Sequence, residues 1–237
     1  MTTPTVSAMV TALAAVLLAS GCSTNAAPPP PGVPPAVQTA GAAPDLASDP
    51  SSAVAHAAMK LRATTAAAIM VATAGMDKLI ASSYAAQVST DPVTARGNAN
   101  LMINGERQQA YFQVRDGELF LDSSDGEPIA VGPSRGNFDP TLLLDPQLGL
   151  ASMIETISPV AFDGPQPVDD GRIAGTVKLR GDLPVTAAEV VLPRYMLHNL
   201  ASVPVTLWLD PAAGNALVQL IVTANGGSMT LQIRDTR

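Results

Sequence analysis

One cysteine, two histidines and an aromatic content of 3% are what this 237-residue chain can offer. Each scarcity excludes something. A single thiol, Cys22, forms no internal disulfide, so any domain must hold together by burial alone. His56 and His198 stand far apart in segments that offer neither a partner. No Gly-x-Ser-x-Gly elbow, zinc spacing or phosphate loop occurs, so catalysis is not expected. No Lys or Arg precedes Lys60, and the net charge is −7, which disfavours nucleic acid and electrostatic docking on an anionic membrane. Asp163, Asp169 and Asp170 lack the spacing of a calcium loop, and their Asp-Gly steps read as turns. Neither cofactor nor metal is expected.

What is present begins with "VLLASGCST", Val16 to Thr24. A lone cysteine is by default a small buried thiol. Here it follows "AMVTALAAVLLA", an uncharged run too short for a bilayer span of ~20 residues but of signal-peptide length. Ala19, Ser20 and Gly21 then lead into Cys22, and the stretch resembles a bacterial lipobox. That resemblance implies cleavage before Cys22 and a diacylglycerol on its sulfur. Residues 1–21 are therefore expected as signal peptide. Residues 22–50, rich in Pro, Ala and Gly and without an apolar period, are expected as a disordered tether. As a flexible coil such a tether spans ~30 Å, and as polyproline II ~85 Å. Residues 51–237 are then one domain, long enough for a sizeable core.

From Ser51 the pattern changes. "SSAVAHAAMKLRA" places Val54, Ala58 and Leu61 on one face, which predicts a helix to Ala63 with Ser51 or Ser52 as N-cap. Strands follow by period two. Ala99, Leu101 and Ile103 alternate with polar neighbours, then Asn104-Gly105 signals a hairpin into Ala110, Phe112 and Val114. Asp116-Gly117 turns into "ELFLD". Further strands are expected over 172–180, with Ile173, Gly175, Val177 and Leu179 inward, over 203–210, with Val205 and Leu207 inward, and over 228–234. One polar and one apolar face describe an antiparallel sheet wet on one side, and short turns favour a meander.

Two inserts read as helical. "FDPTLLLDPQLGLASMIETI" has Asp-Pro steps at 139–140 and 145–146, each a sound helix start, and presents Leu150, Ile154 and Ile157 at helical spacing. "PVTAAEVVLPRYMLHNL" is helical in its first half and broken at Pro193. These apolar segments must cover the apolar face of the sheet.

"GNFDPTLLLDPQLGLASMI" (136–154), with "RDGELF" (115–120), "VPVTLWLD" (203–210) and "GNANL" (97–101) in the same order, resembles the mycobacterial LppX/LprA/LprF/LprG lipoprotein family. The likeness runs from about Ser51 to the last residue. It implies an α+β fold: a curved antiparallel half-barrel sheet with helices covering its concave face, enclosing an apolar cavity. It also implies a lipid-anchored protein on the outer face of the cell membrane that carries acyl chains of lipids or glycolipids through the envelope. Its partners would be such lipids, a membrane through the covalent anchor at Cys22, and a membrane transporter that loads the cargo. The protein would be a monomer. The inward sets supply the candidate lining: Ala99, Leu101, Ile103, Ala110, Phe112, Val114, Leu143, Leu150, Ile154, Val177, Val205 and Leu207. As single residues, each also reads as plain core. Few aromatics favour open space, because aromatics fill large gaps. At ~0.8 kcal/mol per methylene, a sixteen-carbon chain leaving a membrane faces on the order of 12 kcal/mol, which an apolar pocket would offset. The competing function is a structural or host-facing surface lipoprotein with no cargo. A filled core would serve that role equally well.

Overall fold

A computed structural model describes residues 45–103, 105–122, 127–168 and 173–237. Cys22, the signal segment and most of the expected tether lie outside the described residues, as do Asn104, Asp169 and Asp170. The described residues between 45 and 237 belong to one compact unit.

The chain enters through a turn at 46–48, where Leu46 is already buried. Helix α1 (Pro50–Ala63) follows. Its N-cap is Asp49 rather than either serine: the carboxylate accepts from the Ser52 amide at 3.0 Å, and Pro50 occupies the first turn, where no amide is needed. Lys60 and Arg62 favour the negative end of the helix dipole. Ala53, Val54, Ala57, Ala58 and Leu61 make the buried stripe.

Among the described residues, eleven strands then build one open antiparallel sheet: β1 (Ala66–Ala74), β2 (Ala81–Thr90), β3 (Val93–Ile103), β4 (Glu106–Arg115), β5 (Glu118–Asp122), β6 (Pro128–Pro133), β7 (Val160–Pro165), β8 (Val177–Pro184), β9 (Ser202–Asp210), β10 (Ala216–Ala224) and β11 (Gly227–Arg234). Their order is β6-β5-β4-β3-β2-β1-β11-β10-β9-β8-β7. The expected meander is thus two meanders, joined where β1 pairs with β11 from Ala68↔Arg234 to Ala74↔Ser228. The expected strand over 172–180 starts only at Val177: Ile173 instead bridges Val168, and Gly175 lies at φ +81°, outside the extended region.

β6 and β7 sit at opposite edges, so the chain between them must cross the whole sheet. It does so over the apolar face, through a 3-10 helix (Pro140–Leu144) and α2 (Leu150–Glu155). Asp139 caps the first as expected, accepting from the Thr141 amide at 3.1 Å. The second Asp-Pro step departs from expectation. Asp145 accepts from the Gln147 and Leu148 amides, which closes a turn, and the helix begins after Gly149. The last insert is two single-turn helices, α3 (Val185–Ala188) and α4 (Arg194–Leu197), divided at Pro193. The 3-10 helix rests on β2 and β3, α1 on β10, α3 on β8 and β9, and α2 on α1. The expected curved α+β half-barrel with helices on one face is the fold observed.

Candidate functional site

Between the sheet and its covering segments lies an apolar cavity of about 410 Å³. Three stretches of chain make its rim: the β1–β2 loop and the first residue of β2 at 78–81, the approach to and start of the 3-10 helix at 136–140, and the segment running from the end of α3 into α4 at 189–195. Met229 and Leu231 of β11, with Tyr84 of β2, give the sheet side, and Leu142 and Leu143 give the helix side.

Polar contacts hold these walls. The Arg107 guanidinium donates to the carbonyls of Asp77 (2.8 Å) and Ile80 (3.3 Å), fixing the β1–β2 loop. The Tyr195 hydroxyl donates to the Lys78 carbonyl at 2.9 Å, fastening α4 to the same loop. Glu189 and Arg194 pair at 3.0 Å across the Pro193 break. On the far wall, the fully buried Ser134 hydroxyl lies 2.9 Å from the Asp139 carboxylate and 3.1 Å from the Gly117 carbonyl, which locks the loop carrying Phe138. Ile80 (46% exposed) and Tyr195 (53%) leave apolar surface on the lip.

Phe138 stands edge-on to two rings, Tyr84 at 5.1 Å and Phe112 at 4.9 Å between centroids. Three of the eight aromatics thus collect beside the cavity and close it on the β4 side. Burial pushes the Tyr84 phenol well above its ordinary range, so it stays protonated.

All twelve candidate lining residues join a single apolar cluster, with Ile103 and Ala110 at its half-buried margin. Leu143 lines the cavity. The others pack around it as core: Leu150, Ile154 and Leu207 are fully buried, Val177 and Val205 lie on the β8–β9 half, and Ala99, Leu101 and Val114 on the β3–β4 half. Phe112 touches the site through Phe138. The rim residues Ile80, Phe138, Val190 and Tyr195 escape a strand-by-strand reading, because a rim is assembled from loops without periodicity. The single usable signal was "NFDP", where an apolar ring directly precedes a helix cap.

The wet face also carries a large buried ring. Trp208 is buried there under Lys178, whose ammonium lies 5.6 Å from the ring centroid. Asp163 lies 3.2 Å from Lys178 and 2.6 Å from Arg180, and hydrogen bonding from Lys178, reinforced by Arg180, holds its carboxyl below the usual range. The single described member of the aspartate trio is thus a structural ion-pair partner. A larger trough of about 930 Å³ lies on this same face, but amides and arginines line it. The smaller, apolar space is the one suited to hydrocarbon. Among the described residues no helix is long and apolar enough to cross a membrane, and no group of three His, Cys, Asp or Glu converges as metal ligands.

An open antiparallel sheet with one helix-covered face and an apolar hollow beneath the cover defines an α+β half-barrel class of fold. Within it, residues 49–237 match the family model "LppX_LprAFG lipoprotein", and the chain belongs to that family. Lipoprotein LprA of Mycobacterium tuberculosis is 28% identical over 240 residues, covering 97% of this chain and 92% of that protein. The lipoarabinomannan carrier protein LprG of the same species is 24% identical over 141 residues. That alignment covers 60% of this chain and spans only 58% of LprG. Among solved structures, LprF of Mycobacterium bovis superposes with a TM-score of 0.72 at 20% identity, covering 80% of this chain and 93% of that one. LppX of M. tuberculosis gives 0.59 at 18% identity, covering 78% and 93%. At these identities the two structures establish the shared fold.

Proposed function

We propose that this lipoprotein takes one or more acyl chains of an envelope lipid or glycolipid into the cavity beneath its helices and carries them between membrane and cell wall. The observation that carries this reading is the 410 Å³ apolar hollow, with an exposed apolar lip at Ile80 and Tyr195. Its volume falls within the ~300–1,000 Å³ of ligand pockets. At ~30 Å³ per methylene-sized group, it accepts roughly a dozen, so most of one chain enters and the polar head stays at the rim. Two relatives' names support the reading: LprG is described as a lipoarabinomannan carrier both in M. tuberculosis and in Mycolicibacterium smegmatis. The chain would act from the outer face of the membrane, held by a lipid on Cys22, with residues 22–44 giving the domain its reach.

Native mass spectrometry after mild extraction tests the cargo. Bound acyl lipid is expected, and a clean apo-protein from lipid-replete cells would leave the cargo-free surface lipoprotein as the better reading. The anchor has its own test. Cys22→Ala should move the protein from the membrane pellet to the soluble fraction and abolish palmitate labelling. Retention in the pellet, with no label in either form, would refute the anchor.

A further inference from the structure

The face of the sheet turned away from the cavity holds the larger concavity, a trough of about 930 Å³ across β11, β1, β2, β3 and β4. Its origin lies in side-chain length. The register places Ala72 beside Ser83 and Ala85 beside Met70 and Asn98, so the floor is built largely from small residues. Longer side chains rise around it: Asn98, Asn100, Arg107, Gln109, Gln232 and Arg234. Such a surface has the volume of a site and the chemistry of a polar one.

Its charge is the opposite of the chain's. The protein carries 20 Asp and Glu against 13 Lys and Arg. Yet β1, β2, β3 and β11 contain no Asp or Glu at all. The one acid of β4, Glu106, pairs with Ile103 and so has the parity of the cavity face. On the trough face the same strands bring arginines: Arg107 and Arg234 line the trough, and Arg96 and Arg115 share its face. Arg107 is tied to three backbone carbonyls, at Asp77, Ile80 and Asn100, so its guanidinium is held in place before any ligand arrives. Gln219, Gln232 and Arg234 form a chain of side-chain hydrogen bonds, 2.9 Å from Gln232 to Gln219 and 3.1 Å from Arg234 to Gln232. Amides offer donors and acceptors together, which suits hydroxyl groups. Tyr111, opposite Asn98 and 61% exposed, adds a ring face at the edge.

We propose that this trough binds an anionic carbohydrate, a sugar bearing phosphate or carboxylate, on the face opposite the acyl cavity. Amides would read the hydroxyls, and the Arg107 guanidinium, held in place at one end of the trough, would hold the negative group. A nucleic acid fits poorly, because it needs a stacking ladder and a basic whole-protein field, and this chain has net charge −7. The inference stands apart from the acyl-carrier reading, since the two sites share no cargo chemistry.

The test uses glucose 1-phosphate, methyl glucoside and inorganic phosphate as separate titrants, read by calorimetry and by the side-chain amide NMR signals of Asn98, Asn100 and Gln109. Glucose 1-phosphate is expected to shift those signals and to bind at least tenfold tighter than either of the others. Ala85→Glu, which sets a carboxylate on the floor, and Gln109→Glu, which keeps the shape and adds the charge, should each weaken binding at least tenfold. Neither variant should change melting temperature or bound acyl content. Three results would overturn the proposal: equal binding of methyl glucoside, equal binding of phosphate alone, or no shift at millimolar concentrations. A fourth is preferential capture by phosphatidylglycerol vesicles through the same residues, which would make the trough a membrane contact.

Discussion

Ala81 lines the cavity at the start of β2, half-buried, where the β2–β3 register shifts between Ala81↔Leu101 and Ser83↔Asn100. Ala81→Trp directs an indole into the hollow. The substitution adds about nine non-hydrogen atoms, which as fused-ring atoms of ~15 Å³ each take about a third of the space. Room for roughly a dozen methylenes falls to about eight or nine. At ~0.8 kcal/mol per methylene, the transfer energy drops from about 10 to about 7 kcal/mol. Each 1.4 kcal/mol is tenfold, so affinity for a long acyl chain should fall by roughly a hundredfold. Stability should hardly move, because existing space absorbs the ring. Ala99→Trp is the contrast. Ala99 is 2% exposed and lies in register between Tyr84 and Ala110, so a ring directed into that packing overfills it, at a cost of about 1–3 kcal/mol and a Tm lower by several degrees. Displacement of a fluorescent fatty acid measures the first effect and calorimetric melting the second. An Ala81→Trp protein that keeps its acyl affinity would refute the placement of cargo in this cavity. So would one that melts several degrees lower, because the space would then not exist in solution.

Three further substitutions probe the frame. Gly97 pairs with Ala86 and Phe112, and a Cβ there would stand 1.9 Å from the Ala85 carbonyl oxygen; Gly97→Ala must push two strand backbones apart and should destabilise by more than ~3 kcal/mol in urea melts. Leu46 is 7% exposed, so Leu46→Ala should cost about 2 kcal/mol in the same assay, and an unchanged midpoint would return the 45–49 segment to the tether. Arg62 and Glu155 join α1 to α2 through a two-pronged ion pair, and hydrogen bonding from Arg62 holds the Glu155 carboxyl below its ordinary 4.5. A depressed carboxyl contributes stability that is present above its unfolded pKa and is lost as pH falls through the folded one. Melting across pH 5 to ~3 should therefore show a shallower acid slope in Glu155→Gln, and identical slopes would remove the pair from the account.

What the sequence discloses depends on the amplitude of its alternation. Over 98–103 and 109–115, Leu101, Ile103, Phe112 and Val114 stand against Asn, Gln and Arg, and both strands fall where period two puts them. β1 reads "AAAIMVATA": Ala67, Ile69 and Val71 point inward while Ala68, Met70 and Ala72 face the trough, and nothing in hydropathy separates the two sets. β10 hides for two reasons, an apolar Ile221 on the outer face and a bulge between Leu217 and Gln219 that resets the phase. β2, mostly Ala and Ser, carries too little contrast to register. The site fares less well than the sheet. Leu143 lines the cavity, while Tyr84, Phe138, Val190 and Tyr195 arrive from a missed strand, two loops and the single turn of α4. Inward-facing residues of a sheet share one apolar side, but only tertiary packing decides which of them touch each other and which border a void.

The pairing of β1 with β11 has a kinetic consequence. Ala68 meets Arg234 across nearly the whole length of the domain, and this contact sits at the centre of the sheet. Each meander can form from near neighbours, but the seam that unites them waits on the most distant pair in the fold. Closing so long a loop carries a large entropic cost, and folds dominated by non-local pairing are slow. β11 is thus the strand that both halves require, and the hollow under the helices, walled by Met229 and Leu231 of that strand, comes into being only when it docks.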